Sequence, residues 1–293
     1  MSMKYVSKIQ ANLKSFQVIK TNKMSNCVLD GSYNSIYKGN SMNFDELREY
    51  VTGDDMRDID WKASARSRRL LVRQFIAEKK HNVMFVFDTN RRMLADSRLL
   101  EEKRELAIMG AGAVALFVNK NSDYVGSIYS TKDSMCHFPF KTGLENIEQM
   151  LQSYKRAVTE DNHTDLNRSL EYIIQHFNRR MIIFIVSDLE GLHSISDTNL
   201  RRLMVVNDVL MINISDADIG GNNQFDVGEG GYFGDFYAQD KKLQKIAIAE
   251  REQLMRECGE KLRRFGITCA TIDSEKQMET EIIRMLNNHR MNV

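Results

Sequence analysis

A chain of 293 residues is long enough for one large domain or two modest ones. Apolar residues make up 42% of the chain and charged residues 28%, and the formal net charge of +1 gives no bias towards nucleic acid or an anionic membrane. The first twenty residues lack the apolar core of a signal peptide, and no stretch approaches the ~20 consecutive apolar residues of a membrane span. Composition therefore predicts a cytoplasmic protein that neither binds nucleic acid nor inserts into a membrane, and it leaves the oligomeric state open.

Residues 1–81 have a different pattern from the rest of the chain. Apolar positions are sparse there, and turn signals occur at Asp30-Gly31, Lys38-Gly39-Asn40 and Gly53-Asp54. This pattern predicts a small β-rich appendage. Its last strand, Leu70 to Ala77, is expected to lead directly into the second part of the chain.

Residues 82–293 alternate short apolar runs with amphipathic stretches, which is the pattern of a mostly parallel sheet with helices on both faces. The run at 181–186 is almost entirely apolar, so we expect a strand that is buried on both sides. The sequence therefore predicts a doubly wound α/β domain. Its predicted strands lie at 82–87, 124–129, 181–186, 209–214 and 267–272.

Two helices of this domain are predicted from apolar residues at helical spacing. The first covers residues 106–117 and includes Gly110 and Gly112, which would allow close packing against the sheet. The second covers residues 243–265 and is expected to end at Gly266. A glycine-rich segment at 216–235 lacks the Lys-Ser/Thr of a phosphate-binding loop, so it predicts a long connection whose role stays open.

Three polar residues are expected at one edge of the predicted sheet. Asp88 and Asp188 each follow an apolar strand, and ligands of open α/β sheets bind at the carboxyl ends of strands. Thr164 precedes a helix-like segment and offers a hydroxyl. Carboxylates and hydroxyls are the ligands that Mg²⁺ prefers. The same residue types also cap helix N-termini, so a purely structural role remains an alternative.

The order of Asp88, Thr164 and Asp188 resembles the metal-ion-dependent adhesion site of von Willebrand factor A domains. That site also has two serines, in the pattern Asp-x-Ser-x-Ser. Here their positions hold Asn90 and Arg92. The resemblance implies a degenerate Mg²⁺ site of Asp88, Asn90, Thr164 and Asp188, which the permanent charge of Arg92 opposes.

Several motifs in the first part of the chain point to a narrower family. The motifs are Gly31-Ser-Tyr33-Asn-Ser35, Leu47-Arg48-Glu49-Tyr50, Gly53-Asp54-Asp55-x-Arg57-x-Ile59-Asp60-Trp61, Ser64-Ala65-Arg66 and Val72-Arg73-x-Phe75. They resemble the signature of the family called domain of unknown function 58 (DUF58). This resemblance implies a von Willebrand A-like fold, and it implies a MoxR-type AAA+ ATPase and its client proteins as partners in chaperone-like assembly or maturation.

Charged residues and one tryptophan cluster within these motifs. They form either a charged docking surface or a network of local salt bridges, which are common and individually weak. Trp61 either anchors a partner or fills the junction between the two parts of the chain. The candidate partner-binding residues are Asp54, Asp55, Arg57, Asp60, Trp61 and Arg66.

The main prediction is a non-enzymatic adaptor. The alternative is a metal-dependent hydrolase or phosphoesterase that uses Asp54, Asp55, Asp88 and Asp188 as ligands. No histidine, lysine or cysteine is tied by spacing to these aspartates as a general base. A third hypothesis is a structural scaffold in which the appendage makes all the contacts with other proteins.

Overall fold

A computed structural model describes residues 3–13, 44–75, 80–217, 225–226, 231–232 and 241–292. The predicted motif at 31–35 and most of the glycine-rich segment lie outside these ranges. Residues group into a larger unit, Met1–Val28 with His81–Val293, and a smaller unit, Leu29–Lys80. None of the helices in the described ranges has both the length and the apolar character that crossing a membrane requires.

The helices and strands of the described residues are, in chain order, α1 Lys4–Asn12, β1 Phe44–Glu49, α2 Trp61–Ser67, β2 Leu71–Phe75, β3 Asn82–Phe87, α3 Lys103–Lys120, β4 Tyr124–Ser130, β5 Met135–Lys141, α4 Leu144–Ala157, α5 Leu166–His176, β6 Ile182–Ser187, α6 Leu189–Ser194, α7 Asp197–Met204, β7 Asp208–Ile214, β8 Phe225–Asp226, β9 Gly231–Tyr232, α8 Lys241–Phe265, β10 Thr268–Ile272 and α9 Glu275–Asn292. Short 3₁₀ turns lie at Met56–Asp58 and Arg91–Leu94.

The larger unit contains a six-stranded sheet in the order β10-β7-β6-β3-β4-β5. All neighbouring strands are parallel except β5, which runs antiparallel to β4. All five predicted strands of this domain are present, so the predicted α/β fold class is confirmed. The order reverses between β3 and β6, which places the switch point of the sheet at the ends of these two strands.

The edge strand β5 was not predicted from the sequence. Its side chains alternate between partly buried and exposed, and it contains Pro139, the one proline of the chain. Proline lacks the N–H group that a ladder needs, so it is tolerated at a sheet edge. A short, half-exposed strand that contains proline gives no apolar run for sequence analysis to recognise.

Helices cover the two faces of the sheet with separate apolar clusters. On one face, α5, α6, α7 and α8 pack on a cluster that includes Met84, Val86 and Ile185. Phe87 points to the opposite face because strand side chains alternate. There it stacks on Tyr154 of α4, with ring centroids 4.4 Å apart. Both central strands are therefore buried on both sides, as predicted for residues 181–186.

The first helix, α1, belongs to the larger unit, whereas the sequence predicts that residues 1–81 form a separate appendage. The buried carboxylate of Glu148 accepts hydrogen bonds from the N–H groups of Tyr5 at 3.2 Å and Val6 at 2.8 Å. These N–H groups belong to the first turn of α1, where no intrahelical partner exists. Ile9 is fully buried. Tertiary contacts of α1 thus override the sparse apolar pattern around it.

The two glycines of α3 serve different neighbours. A Cβ at Gly110 would lie 2.7 Å from Ile272 Cδ1 of the sheet, so close packing on the sheet is confirmed there. A Cβ at Gly112 would instead overlap Ile9 Cδ1 of α1 and lie 3.0 Å from Leu151 Cδ1. Gly112 therefore makes room for α1, and its predicted contact with the sheet is wrong.

We expect Gly112→Ala to lower the free energy of unfolding by about 1–3 kcal/mol, because the added methyl group must displace Ile9. The control Gly259→Ala lies in α8, where a Cβ would meet nothing within 4 Å. It should raise the free energy of unfolding by about 0.5–1 kcal/mol through helix propensity. Urea unfolding of both variants, of Ile9→Ala alone and of Gly112→Ala combined with Ile9→Ala measures the coupling. Equal effects of Gly112→Ala with and without Ile9 would contradict this packing.

Candidate functional site

Asp88 and Asp188 meet at the switch point of the sheet. Asp88 directly follows β3 and Asp188 directly follows β6, and these parallel strands are paired up to Phe87 and Val186. The two aspartates are only 2% and 1% exposed. The carboxyl ends of adjacent parallel strands lie at the same edge, so the two carboxylates come together as the sequence predicts.

Two cationic side chains neutralise this pair of carboxylates. Arg92 Nη2 lies 3.2 Å from Asp88 Oδ2, and Arg92 Nε lies 3.4 Å from Asp188 Oδ2. Lys103, the first residue of α3 and 2% exposed, donates to Asp188 Oδ2 at 2.8 Å. It also pairs with Asp216, just beyond β7. In the core of the site, the guanidinium of Arg92 thus joins Asp88 to Asp188, and the ammonium group of Lys103 joins Asp188 to Asp216.

Neutral groups also donate hydrogen bonds to these two carboxylates. Asp88 Oδ2 accepts from Ser187 Oγ at 2.6 Å, and Asp88 Oδ1 accepts from the N–H of Asn90 at 2.9 Å. Asp188 Oδ1 accepts from the N–H of Gly191 at 2.8 Å, so Asp188 caps α6. A Cβ at Gly191 would overlap Ser187 Oγ, which explains why a glycine stands there. The capping alternative is therefore correct for Asp188.

Asn90 and Thr164 lie beside Asp88 but have protein partners. Asn90 Oδ1 accepts from the N–H of Arg92 at 3.1 Å and caps the following 3₁₀ turn. Asn90 Nδ2 donates to the carbonyl of Thr164 at 3.1 Å. The hydroxyl of Thr89 donates to the Ser130 carbonyl, so its oxygen accepts a hydrogen bond from the Thr164 hydroxyl at 2.9 Å. The four predicted ligands are close together, and internal hydrogen bonds engage each of them.

The environments of the two aspartates shift their pKa values in opposite directions. Burial and the negative charge of Asp188 raise the pKa of Asp88. Burial acts the same way on Asp188, but the charges of Lys103 and Arg92 outweigh it and lower the pKa of Asp188 to about 2. Burial acts to lower the pKa of Lys103, and the charges of Asp188 and Asp216 more than reverse this effect. Lys103 and Asp188 therefore remain a charged pair.

These residues do not fit Mg²⁺ in this arrangement. The ion needs near-octahedral oxygen ligands, usually one or two carboxylates with several waters. The carboxylates that would face it already face an ammonium and a guanidinium group, whose fixed charges repel a dication. Within the described ranges, no group of three or more His, Cys, Asp and Glu residues could hold a metal ion. We therefore assign no metal-dependent step to this site.

Sequence analysis missed three residues of the site, namely Lys103, Ser187 and Gly191. One feature of the sequence points to Lys103. A cation in the first turn of a helix opposes the helix dipole, which indicates that a nearby negative charge compensates it. Ser187 is a polar residue at the end of an otherwise apolar strand. Neither signal states which partner the side chain contacts, since Lys103 and Asp188 are 85 residues apart in the chain.

The candidate partner-binding residues of the smaller unit form local ion pairs. Asp54 accepts two hydrogen bonds from Arg48, at 2.6 and 2.7 Å. Asp60 caps α2 by accepting from the N–H of Ala63 at 3.0 Å, and Arg73 Nε donates to it at 3.0 Å. The salt-bridge alternative is therefore correct for these two aspartates.

The other candidates of the smaller unit are exposed. Arg57 pairs with Asp55 at 3.0 Å, and both side chains are largely open to solvent. Arg66 is exposed, and 64% of Trp61 is exposed. Asp54 and Asp55 belong to the smaller unit, whereas Asp88 and Asp188 belong to the larger one. Each pair has its own arginine partners.

A family model described as "Protein of unknown function DUF58" matches residues 46–219, which is more than half of the chain. The chain belongs to the DUF58 family. The predicted family is thus confirmed. The match includes Asp88 and Asp188, which with Arg92 and Lys103 form what we call the strand-end site. Residues 31–35, which were also assigned to the DUF58 signature, lie before the matched region.

Relatives of this DUF58 protein include uncharacterized proteins of Mycobacterium bovis and Mycobacterium tuberculosis. They are 26% identical over 186 residues, which cover 63% of this chain and 58% of those proteins. The chain thus matches a little over half of the length of these relatives.

Solved structures with a similar fold include the conserved hypothetical protein BatB from Bacteroides thetaiotaomicron, with 15% identity and a TM-score of 0.43 over 71% of this chain and 99% of that one. A von Willebrand factor type A protein from Catenulispora acidiphila has 11% identity and a TM-score of 0.38 over 75% of this chain and 44% of that one. Similarity at this level adds nothing to the description of the fold given above.

We expect Asp188→Asn to destabilise the protein in a pH-dependent way. In the wild type, the folded pKa of Asp188 is about 2 and lies below the ~3.9 of an unfolded aspartate, so the charge of Asp188 stabilises the fold above about pH 4. That contribution is lost as the pH falls from about 4 towards 2. At about pH 7 the free energy of unfolding should drop by about 3–5 kcal/mol, because one partner of a buried ion pair is removed.

Urea unfolding of wild type and Asp188→Asn at a series of pH values measures this difference. The exposed Asp161 provides the control variant Asp161→Asn, which should unfold like wild type throughout. If the loss in free energy of unfolding of Asp188→Asn is as large at about pH 3 as at about pH 7, the charge of Asp188 is not its cause.

Proposed function

We propose that this DUF58 protein is a cytoplasmic, non-enzymatic adaptor that binds a MoxR-type AAA+ ATPase and helps it to assemble or mature client proteins. The resemblance of the motifs in the smaller unit supports the identity of this partner. Membership of the family and the α/β fold support a role in protein interaction. The proposal rests chiefly on the exposed surface of the smaller unit.

Large apolar side chains are exposed on the smaller unit. Trp61 is 64% exposed, Met56 65% and Val51 61%. Exposed apolar groups rimmed by polar residues mark protein interaction sites, and tryptophan is enriched among residues that dominate binding energy. The charged side chains of Arg57 and Arg66 lie in the same segment and are exposed. An exposed aromatic side chain with exposed charges in the same segment supports binding of a folded protein partner.

The strand-end site of the larger unit supports binding in preference to hydrolysis. Hydrolysis by the alternative mechanism needs carboxylates that hold metal ions. Asp88 and Asp188 instead hold Arg92 and Lys103. Glu190, which pairs with Arg92 at 3.3 Å, is 60% exposed and forms the accessible rim of this site.

Binding of the full-length chain to a MoxR-type ATPase from the same genome, measured by surface plasmon resonance, tests the proposal. We expect Trp61→Ala to raise the Kd by roughly 30-fold or more, because truncating an interface anchor costs about 2 kcal/mol. Arg66→Glu should slow association, and its effect should shrink at high salt. The control Val205→Ala removes an apolar side chain that is 83% exposed on the larger unit, and it should leave the Kd unchanged.

Two results would contradict the proposal. If wild type fails to bind the ATPase while both proteins are folded, the partner is wrong. If Val205→Ala weakens binding as much as Trp61→Ala does, the smaller unit does not provide the specific contact. Circular dichroism of each variant ensures that loss of binding is not loss of folding.

A further inference from the structure

The position of Lys103 carries an inference about the strand-end site that does not depend on the proposed partner. Lys103 is 2% exposed, and its ammonium group donates to Asp188 Oδ2 at 2.8 Å and also pairs with Asp216. A buried ammonium group is stable only when opposite charges or hydrogen-bond acceptors surround it. The site therefore contains a cation that the chain itself supplies, at a carboxylate that the sequence predicts as a metal ligand.

Arg92 supplies the second positive charge. Its guanidinium spans the pair, with Nη2 3.2 Å from Asp88 Oδ2 and Nε 3.4 Å from Asp188 Oδ2. The planar, permanently charged guanidinium suits such bridging of carboxylates. Lys103 and Arg92 together supply the two positive charges that a divalent ion would bring.

The surroundings of the site hold these groups in place. Arg251 of α8 donates to the carbonyl of Asp216 at 2.6 Å, next to the carboxylate that contacts Lys103. Lys261, also on α8, donates to the carbonyls of Leu192 at 3.2 Å and His193 at 3.0 Å. These carbonyls belong to α6, the helix that Asp188 caps. One helix thus fixes both segments that flank the ion pairs.

We propose that Lys103 and Arg92 are the resident cations of this site and replace a divalent metal ion there. Arg92 holds the carboxyl ends of β3 and β6 together, and Lys103 joins the end of β6 to Asp216 beyond β7. The carboxylates of Asp88 and Asp188 are then internal counter-ions. Any partner that contacts this edge of the sheet meets a preformed surface whose assembly needs no metal.

Melting temperatures of the full-length chain in chelator and in millimolar Mg²⁺ or Mn²⁺ test the proposal. An ion that binds only the folded state raises the melting temperature by mass action. We expect the wild-type values to agree within about 1 °C. A saturable increase with either ion that is absent in Asp188→Asn would overturn the proposal.

Removal of the lysine charge provides the second measurement. Lys103→Met keeps the length of the side chain, and we expect it to lower the melting temperature by roughly 5–15 °C, because two carboxylates lose a buried partner. The matched control is Lys155→Met, which breaks the more exposed pair with Glu105 and should cost less than about 3 °C. Equal melting temperatures of the two variants would overturn the proposal.

If Lys103→Met does not accumulate as folded protein, Arg92→Gln provides the same comparison, because this side chain is 29% exposed and its loss is milder. We then expect a decrease of roughly 3–8 °C, and a value within about 1 °C of wild type would overturn the proposal. These measurements use no ATPase. Failure of this proposal and failure of the adaptor function are therefore distinguishable.

Discussion

The buried ion pair between Lys103 and Asp188 is the constraint on which the centre of the larger unit depends. It joins the start of α3 to the end of β6 across 85 residues of chain. An unpaired buried charge at either position would cost several kcal/mol. Moving α3 away from β6 would leave such a charge without its partner. Arg92 extends the same constraint to Asp88 and thus to β3. Both strands at the switch point are held at their carboxyl ends.

Because of these ion pairs, the carboxylates at this edge of the sheet are not available to a ligand. Open α/β sheets leave a crevice at the switch point, and polar groups there usually face a ligand. In this protein the acidic groups face cations of the same chain, and hydrogen bonds from Ser187 and Gly191 complete their coordination. What a partner can reach is the rim, where Glu190 is exposed. The site therefore stabilises the domain and presents a fixed surface.

The charged residues of the two units differ in their physical role. The ion pairs that Asp88 and Asp188 form in the larger unit have buried carboxylates, so breaking them is costly. The pair of Arg57 and Asp55 in the smaller unit is exposed, and such pairs contribute little to stability. Exposed charges exchange partners at low cost, and Trp61, which follows them in the chain, is 64% exposed. These features support the proposal that the smaller unit carries the contact with a partner.

The sequence by itself determined the five parallel strands, the order of Asp88, Thr164 and Asp188 along the chain and the family. Apolar periodicity is a local property, and a motif is read along the chain, so neither needs tertiary contacts. Only the tertiary structure decided that α1 fills the space beside Gly112, that the half-exposed β5 pairs at the edge, and that Lys103 lies against Asp188. The first and the last of these depend on residues far apart in sequence, whereas β5 pairs with the strand directly before it but lacks the apolar run that would predict it. The choice between a metal ion and an internal cation depends on tertiary contacts too, because it is set by which charged groups lie against the carboxylates in the folded chain.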